Sequence, residues 1–235
     1  HKVIFNIWKG YSDKLSFFVP AVYYFNKESN FYVMDFVRNA VNIQELILKD
    51  SFEKHKDILQ KVGESLRSYH EKVTPILESH KISFLEDTTI KSVMKSKLGC
   101  QFSELYDSLP ANSYRILLKD FKASNVLLDN ESKIWFIDFQ NIYYFAPFYY
   151  DLARFTDTIK LFTFLKSPIR YVINKQRIND LVDAFVSGYG EEVSASHLDA
   201  ARKLHQLEHV YMKRNNKQFL KAFVLNMLYK LKIIE

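Results

Sequence analysis

The 235-residue sequence predicts an α+β fold in which a small β element comes first and a mainly helical body follows it. Two stretches rich in β-branched and aromatic residues lie within residues 19–37, a composition that is typical of paired strands. From residue 42 onward, apolar residues recur mostly at helical spacing. Two apolar runs on either side of a turn predict a β hairpin inserted into this helical part near residue 126.

The first elements predicted are a helix and a hairpin. Apolar residues at helical spacing predict an amphipathic helix over residues 2–15. Segments 19–25 and 31–37 predict two strands, and the polar residues 26–30 predict the turn that joins them. Pro20 stands at the start of the first strand, where its missing N–H is tolerated.

Helical periodicity dominates the rest of the chain. A short helix is predicted at residues 43–47 and a longer one over 58–69, which residues 76–80 either continue or follow. Residues 81–113 fit no single period and are interpreted as helix and loop. After Pro147 four helices are predicted, over residues 151–165, 178–187, 197–212 and 218–231. In the last of these, one apolar stripe is expected to face the core: Leu220, Phe223, Val224, Met227, Leu228 and Leu231.

Composition and charge exclude several classes of protein. With 48% hydrophobic and 16% aromatic residues, the chain is not intrinsically disordered. No apolar run is long enough to predict a membrane span, and the single Cys100 excludes an internal disulfide framework. The net charge of +6 is spread along the chain, so no nucleic-acid partner is expected. Because no signal segment opens the sequence, a cytoplasmic location is predicted.

The residues that could carry chemistry lie within residues 120–138. A polar loop contains Asp120, Lys122 and Asn125, and the return strand of the predicted hairpin ends at Asp138. The hairpin should therefore bring two carboxylates, an amide and an ammonium to one end. Such a set suits phosphoryl transfer from a metal–nucleotide complex, in which positioning and charge neutralisation supply most of the catalysis. Mg²⁺ prefers oxygen ligands and keeps several waters, so one carboxylate and one amide oxygen would suffice beside phosphate.

The pattern D-x-K-x-x-N-V-L-L-D of residues 120–129, followed by I-D-F, resembles the catalytic loop and metal-binding strand of the protein-kinase-like fold. More closely, it resembles the aminoglycoside phosphotransferase and choline-kinase group of small-molecule kinases. Three other stretches agree with that group in the same order. They are the hinge-like strand at 32–37, the L-x-x-x-H helix segment ending at His70, and the D-L-A helix start at Asp151.

The resemblance implies two structural parts. Residues 1–38 would form a truncated kinase N-lobe with the end of a helix, two strands and the hinge. Residues 39–235 would form a helical C-lobe that carries the catalytic loop and the metal-binding strand. No phosphate loop or lysine strand precedes the hinge in this sequence. Three hinge residues would bind the adenine of ATP through their backbone: Asp35, Phe36 and Val37.

The same resemblance implies roles for the hairpin residues. Asp120 would orient and deprotonate the acceptor hydroxyl, and Lys122 would contact the transferred phosphate. Asn125 and Asp138 would hold Mg²⁺. Asp151 is predicted to be a buried structural hydrogen-bonding group.

The predicted function is ATP- and Mg²⁺-dependent transfer of the γ-phosphate to a hydroxyl of a small molecule, such as an aminoglycoside, a sugar or a choline-like alcohol. Only 12 residues separate Asp138 from Asp151, with no A-P-E motif, which is too short for a protein-kinase activation segment. The acceptor is expected between the catalytic loop and the C-terminal helices. Candidate contacts, among which the sequence does not choose, are Tyr143, Tyr144, Phe145 and Glu208. An alternative stays open, because Leu118-Lys119 replaces the usual His-Gly: a degenerate kinase-like protein that binds nucleotide or a partner without turnover.

Overall fold

The structure is a computed structural model that describes most of the chain. The described residues are 10–11, 15–26, 31–48, 52–79, 96, 98–118, 120–138, 144–190, 193–215 and 218–232. The strands are β1 (Val22–Asn26), β2 (Phe31–Met34), β3 (Val41–Asn42), β4 (Tyr114–Leu117), β5 (Val126–Leu128), β6 (Ile134–Phe136) and β7 (Tyr144–Pro147). The α-helices are α1 (Ile43–Ile47), α2 (Phe52–Ser79), α3 (Cys100–Asp107), α4 (Tyr149–Lys166), α5 (Pro168–Ile173), α6 (Lys175–Tyr189), α7 (Ala195–Asn215) and α8 (Phe219–Lys230).

The front of the chain forms the predicted pair of strands. β1 and β2 are antiparallel, with a register shift between Val22 and Tyr24. The turn predicted to join them includes residues 27–30, which lie outside the described residues. Most of the helix predicted over residues 2–15 also lies outside them, and of its length only residues 10 and 11 are described as helical.

The inserted hairpin is confirmed as β5 and β6, and β3 adds a third strand beside β5. Asp129 closes the turn between the two hairpin strands. Its carboxylate accepts the backbone N–H groups of Glu131 and Lys133, each at 2.9 Å, and the indole N–H of Trp135 at 2.8 Å. Because Asp129 bonds to residues only two to six positions further along, this polar turn is specified locally and could be predicted from the sequence.

The hairpin rests on an aromatic core between the hairpin and the helices. The ring of Phe121, from the loop before β5, stacks on Phe155 of α4 at 4.9 Å and meets Phe136 of β6 edge-on at 5.2 Å. The ring of Phe155 continues the cluster to Phe185 of α6, at 4.3 Å. Rigid aromatic packing on three sides thus positions the loop that carries Asp120.

The structure adds one strand pairing and decides one open alternative. β7 pairs with β4, a long-range pairing that no local pattern indicated. α2 is one continuous helix that passes through Pro75, so residues 76–79 continue the longer predicted helix and do not form a separate one.

The apolar stripe predicted for the last helix is wrong for Phe223, Met227 and Leu231, which are exposed. It is confirmed for Leu228, which is buried, and for Val224, which packs against the core, whereas the side chain of Leu220 lies outside the described ones. α8 is apolar on nearly all sides, so its periodicity did not identify the packed face. That face is Ala222, Leu225, Leu228 and Tyr229. Within the described part of the chain, no helix has the length and apolar character that crossing a membrane would require.

Candidate active site

Asn125 is the centre of the polar cluster at the end of the β5–β6 hairpin. It closes a 3₁₀ turn, Ala123–Asn125, directly before β5, and its backbone oxygen accepts the N–H of Ile137 at 3.0 Å. Its side-chain Nδ2 donates to the backbone oxygen of Asp120 at 3.0 Å. The same nitrogen lies 3.4 Å from Asp120 Oδ2 and 3.3 Å from Asp138 Oδ2. The structure therefore brings the predicted amide and both carboxylates together.

Lys122 joins this cluster through Asp120. Its Nζ lies 2.6 Å from Asp120 Oδ2, and both side chains remain partly accessible to solvent. A charge-assisted pair of this length holds the carboxylate in one orientation. All four hairpin residues predicted from the sequence are thus within one hydrogen-bonded group.

Arg154 is a member of the site that the sequence reasoning missed. It lies on α4, with Nη1 3.6 Å from Asp120 Oδ1 and Nη2 3.4 Å from Glu208 Oε2 on α7. The sequence did contain a signal for Arg154. It lies one helical turn after Asp151, near the start of α4, and the start of this helix lies close to the loop that carries Asp120. Arg154 therefore links Glu208 to Asp120.

A small cleft opens over this cluster. It is lined by Leu118, Asp120, Phe121, Asn125, Phe136, Ile137 and Asp138. Its lining combines the apolar residues Leu118, Phe121, Phe136 and Ile137 with the polar side chains of Asp120, Asn125 and Asp138. The Leu118 side chain is buried, so the position that usually carries histidine in the resembled group presents no polar group to the cleft here.

The donor chemistry of Asn125 and Asp138 fits a hard cation. Carboxylate and amide oxygens are ligands that Mg²⁺ accepts, and the two side chains approach each other to 3.3 Å. Asn125 presents Nδ2 to Asp138, so holding a cation would require this amide to turn its oxygen toward the carboxylate. Asp138 has a φ of 60°, a left-handed conformation that aims its side chain back into the loop. Among the described residues, no group of three or more metal-binding side chains occurs, so phosphate and water would supply the remaining ligands.

The three residues that are predicted to form the hinge, 35–37, lie directly after β2. Asp35 is occupied with β1: its N–H donates to the oxygen of Ala21 at 2.8 Å, and its carboxylate accepts the Ala21 N–H at 3.2 Å. The Tyr23 hydroxyl also donates to this carboxylate, an interaction that raises the pKa of Tyr23. Phe36 is exposed and Val37 partly so. The Asp35 side chain therefore has a structural role here.

Three buried side chains, Asp151, His70 and Tyr189, form a hydrogen-bonded group that holds the backbone just before the loop that carries Asp120. Asp151 Oδ2 accepts the N–H of Leu118 at 2.8 Å and lies 3.2 Å from His70 Nε2. His70 Nδ1 lies 2.9 Å from the hydroxyl of Tyr189. Asp151 is thus the buried hydrogen-bonding group that the sequence predicts, and His70 of the L-x-x-x-H segment is its partner.

Comparison with known proteins supports the fold. No protein-family model and no curated protein matches the sequence. The structure resembles choline kinase LicA from Streptococcus pneumoniae, with 16% sequence identity, a TM-score of 0.54, and coverage of 99% of this chain and 79% of that one. It also resembles the AMP-bound spectinomycin phosphotransferase APH(9)-Ia, with 17% identity, a TM-score of 0.59, and coverage of 97% and 81%. An ethanolamine kinase from Plasmodium vivax matches with 11% identity, a TM-score of 0.58, and coverage of 98% and 69%.

These likenesses confirm the fold class and the structural resemblance that the sequence predicts. The chain has the protein-kinase-like fold seen in small-molecule kinases, with a mainly helical body. At such low identities the likeness establishes the fold and leaves the roles of individual side chains to chemistry.

Proposed function

We propose that this chain, which has the fold of small-molecule kinases, transfers the γ-phosphate of ATP to a hydroxyl of a small molecule. One observation carries the proposal. The Asn125 amide joins Asp120 and Asp138 at 3.0–3.4 Å, at the end of a hairpin on a fold that is shared with phosphotransferases. An amide and two carboxylates in one cleft are what positioning of a hydroxyl and a metal-bound phosphate requires.

Asp120 is proposed to bind and orient the acceptor hydroxyl and to accept its proton. Lys122 and Arg154 approach opposite oxygens of this carboxylate, at 2.6 Å and 3.6 Å. This double contact restricts rotation of the carboxylate, so one oxygen can keep a fixed direction toward the acceptor. Lys122, which contacts Asp120 directly, is proposed to contact the transferred phosphate.

Asn125 and Asp138 are proposed to hold Mg²⁺. When bound, this ion would neutralise charge on the phosphates of the nucleotide. Phe36 and Val37 are proposed to bind adenine through their backbone groups, and Asp35 through its carbonyl, because its N–H already donates to Ala21.

A second function is favoured by one specific feature. Leu118 is buried where the resembled group usually has histidine, so a polar group beside the catalytic aspartate is replaced by a core residue. If that histidine is needed for turnover, the chain would bind nucleotide and act as a regulatory kinase-like protein. Catalysis and binding must therefore be measured separately.

The experiment compares the full chain with three variants. ADP release would be followed with Mg²⁺-ATP and a panel of choline, ethanolamine, glucosamine and spectinomycin, and nucleotide binding would be followed by calorimetry. We expect Asp120→Asn to lower kcat by roughly 10²–10⁴ while nucleotide binding persists. Asp138→Asn should weaken Mg²⁺-dependent nucleotide binding. The matched control is Asp199→Asn, an exposed carboxylate on α7 that should leave both readouts unchanged.

Each outcome decides between the two functions. Turnover that survives Asp120→Asn contradicts the proposed site. Nucleotide binding by the unmodified chain without turnover of any acceptor supports the regulatory function. If the unmodified chain shows neither nucleotide binding nor turnover, both proposed functions are contradicted.

A further inference from the structure

Four aliphatic side chains are exposed together where α4 ends and α5 follows. Leu165 is 59% exposed, Ile169 76%, Val172 67% and Ile173 76%. The three on α5 are spaced i, i+3 and i+4 and therefore share one helix face. Tyr171, on the other side of α5, is buried and holds the helix against the body of the protein.

Such a cluster is unusual for a surface with no partner. Single exposed aliphatic residues are ordinary, but several adjacent ones mark an interaction site. Here four occur within nine residues, and the short helix that carries three of them is attached through one buried tyrosine whose ring meets Phe164 at 5.7 Å. The fold therefore presents these side chains outward.

The charged residues in the stretch of sequence around the cluster are all basic. Residues 158–179 contain no aspartate or glutamate. Four cationic residues that are at least partly accessible accompany the cluster in this segment: Lys166, Arg170, Lys175 and Arg177. The next carboxylate along the chain, Asp180, is paired with Lys56 at 3.2 Å. We call residues 165–177 the apolar–basic surface.

We propose that the apolar–basic surface docks onto an anionic lipid membrane. Aliphatic side chains on one helix face can enter the headgroup region, and flanking lysines and arginines bind anionic headgroups at its surface. A protein interface would be expected to centre on tryptophan, tyrosine or arginine anchors. The exposed centre of this surface is instead aliphatic, and its surround is basic.

The position of the surface is compatible with an accessible cleft. Leu165 lies eleven residues after Arg154 on the same helix, a separation of about 17 Å along the helix axis. Docking at the end of α4 would therefore leave the cleft near its beginning uncovered. The proposal does not depend on the proposed phosphotransferase activity.

Vesicle co-sedimentation of the full chain tests this proposal. We expect binding to phosphatidylcholine vesicles that contain about one third phosphatidylglycerol, weaker binding at high salt, and none to pure phosphatidylcholine. Ile169→Asp/Ile173→Asp should reduce partitioning by at least roughly ten-fold. Lys166→Gln/Arg177→Gln should also reduce it, by roughly 25-fold, because each of the two cations near an anionic surface strengthens binding about five-fold.

The matched control is Phe223→Asp/Leu231→Asp, which introduces the same two charges at two other exposed apolar side chains, one on α8 and one directly after it. It should bind vesicles like the unmodified chain. Equal loss in this control, or no binding of the unmodified chain to anionic vesicles at low salt, overturns the proposal. So does a dimer, seen by light scattering, that Ile169→Asp/Ile173→Asp dissociates while vesicle binding is unaffected. Circular dichroism of each variant establishes that it is folded.

Discussion

His70 and Asp151 form a buried pair that connects the longest described helix to the loop that carries Asp120. His70 Nε2 lies 3.2 Å from Asp151 Oδ2, and that oxygen also accepts the backbone N–H of Leu118, two residues before Asp120. Burial lowers the pKa of His70, and the opposing effect of Asp151 is smaller, so the imidazole is neutral. With Nε2–H donating to the carboxylate, Nδ1 accepts from the Tyr189 hydroxyl.

Asp151→Asn should destabilise the protein and disturb the loop that carries Asp120. The amide oxygen can take the place of Oδ2 and accept both the Leu118 N–H and the His70 Nε2–H, but both hydrogen bonds then lose their charged acceptor and become weaker. We expect the free energy of unfolding in urea to fall by about 2–3 kcal/mol. Tyr189→Phe, which removes one hydroxyl, should cost about 1 kcal/mol. If the Asp151→Asn protein is as stable as the Tyr189→Phe protein, the Asp151 carboxylate does not hold the backbone at Leu118 as proposed.

Gly63→Ala should be among the most destabilising small substitutions in the chain. Gly63 of α2 faces α6, and a Cβ there would overlap the carbonyl oxygen of Phe185 and lie 2.7 Å from the backbone nitrogen of Tyr189. Since backbone atoms cannot move aside cheaply, we expect a loss of about 3 kcal/mol or more in the free energy of unfolding.

Gly188→Ala, across the same contact, should behave alike, because its Cβ would overlap backbone atoms of Gln60. The double variant should cost less than the sum of the two, since both separate the same helices. The control is Gly10→Ala, where a Cβ meets nothing within 4 Å. If all three glycines tolerate alanine equally, α2 and α6 do not pack this closely in solution.

Lys160→Met should stabilise the protein at neutral pH. Lys160 on α4 is only 5% exposed, and burial, followed by repulsion from Arg202, lowers its pKa to about 8. Below that pH the folded protein keeps a buried charge that the unfolded chain exposes to water. Methionine retains most of the stem without the charge, so we expect a gain of about 1–3 kcal/mol.

The gain from Lys160→Met should shrink as the pH rises from 8 toward 10.5, because the lysine then loses its proton in the folded state. Urea unfolding at several pH values measures this. Lys203→Met, at an exposed lysine paired with Asp199, is the control and should change stability by less than about 1 kcal/mol. A destabilised Lys160→Met protein would mean that the ammonium is favourably bound.

His209 should make the protein sensitive to mild acid. Burial, followed by repulsion from His205, lowers the pKa of His209 to about 4. Between pH 6.5 and 4 the unfolded chain therefore binds a proton that the folded protein does not, so its contribution to stability is complete above pH 6.5 and decreases as the pH falls. The loss should reach about 3 kcal/mol near the lower limit.

His209→Gln would remove this titration while leaving a group able to bond to the Tyr229 hydroxyl, which lies 3.2 Å from His209 Nδ1. Unfolding free energies of both proteins, measured from pH 7 to 4, should converge or cross as the pH falls. Parallel profiles would show that His209 is protonated equally in both states.

Local patterns were enough to predict most of the elements and the position of the candidate site. The β5–β6 hairpin could be predicted because its strands are short, adjacent in sequence and joined by a turn that Asp129 closes with its own neighbours. The same adjacency placed Asp120, Asn125 and Asp138 together, since a hairpin brings its two ends to one point. The motif spacing also predicted the fold, because the kinase-like catalytic loop occurs within one particular order of elements.

Contacts between distant segments required the tertiary structure. The approach of Arg154 to Asp120, the pairing of β7 with β4 and the close contact of Gly63 with Gly188 each join elements whose separation in sequence leaves no local pattern. The orientation of α8 was undetermined for a different reason: a helix that is apolar on most sides does not specify which face will be buried. The sequence by itself determined the elements and the chemistry of the hairpin, and packing alone decided which distant side chains meet.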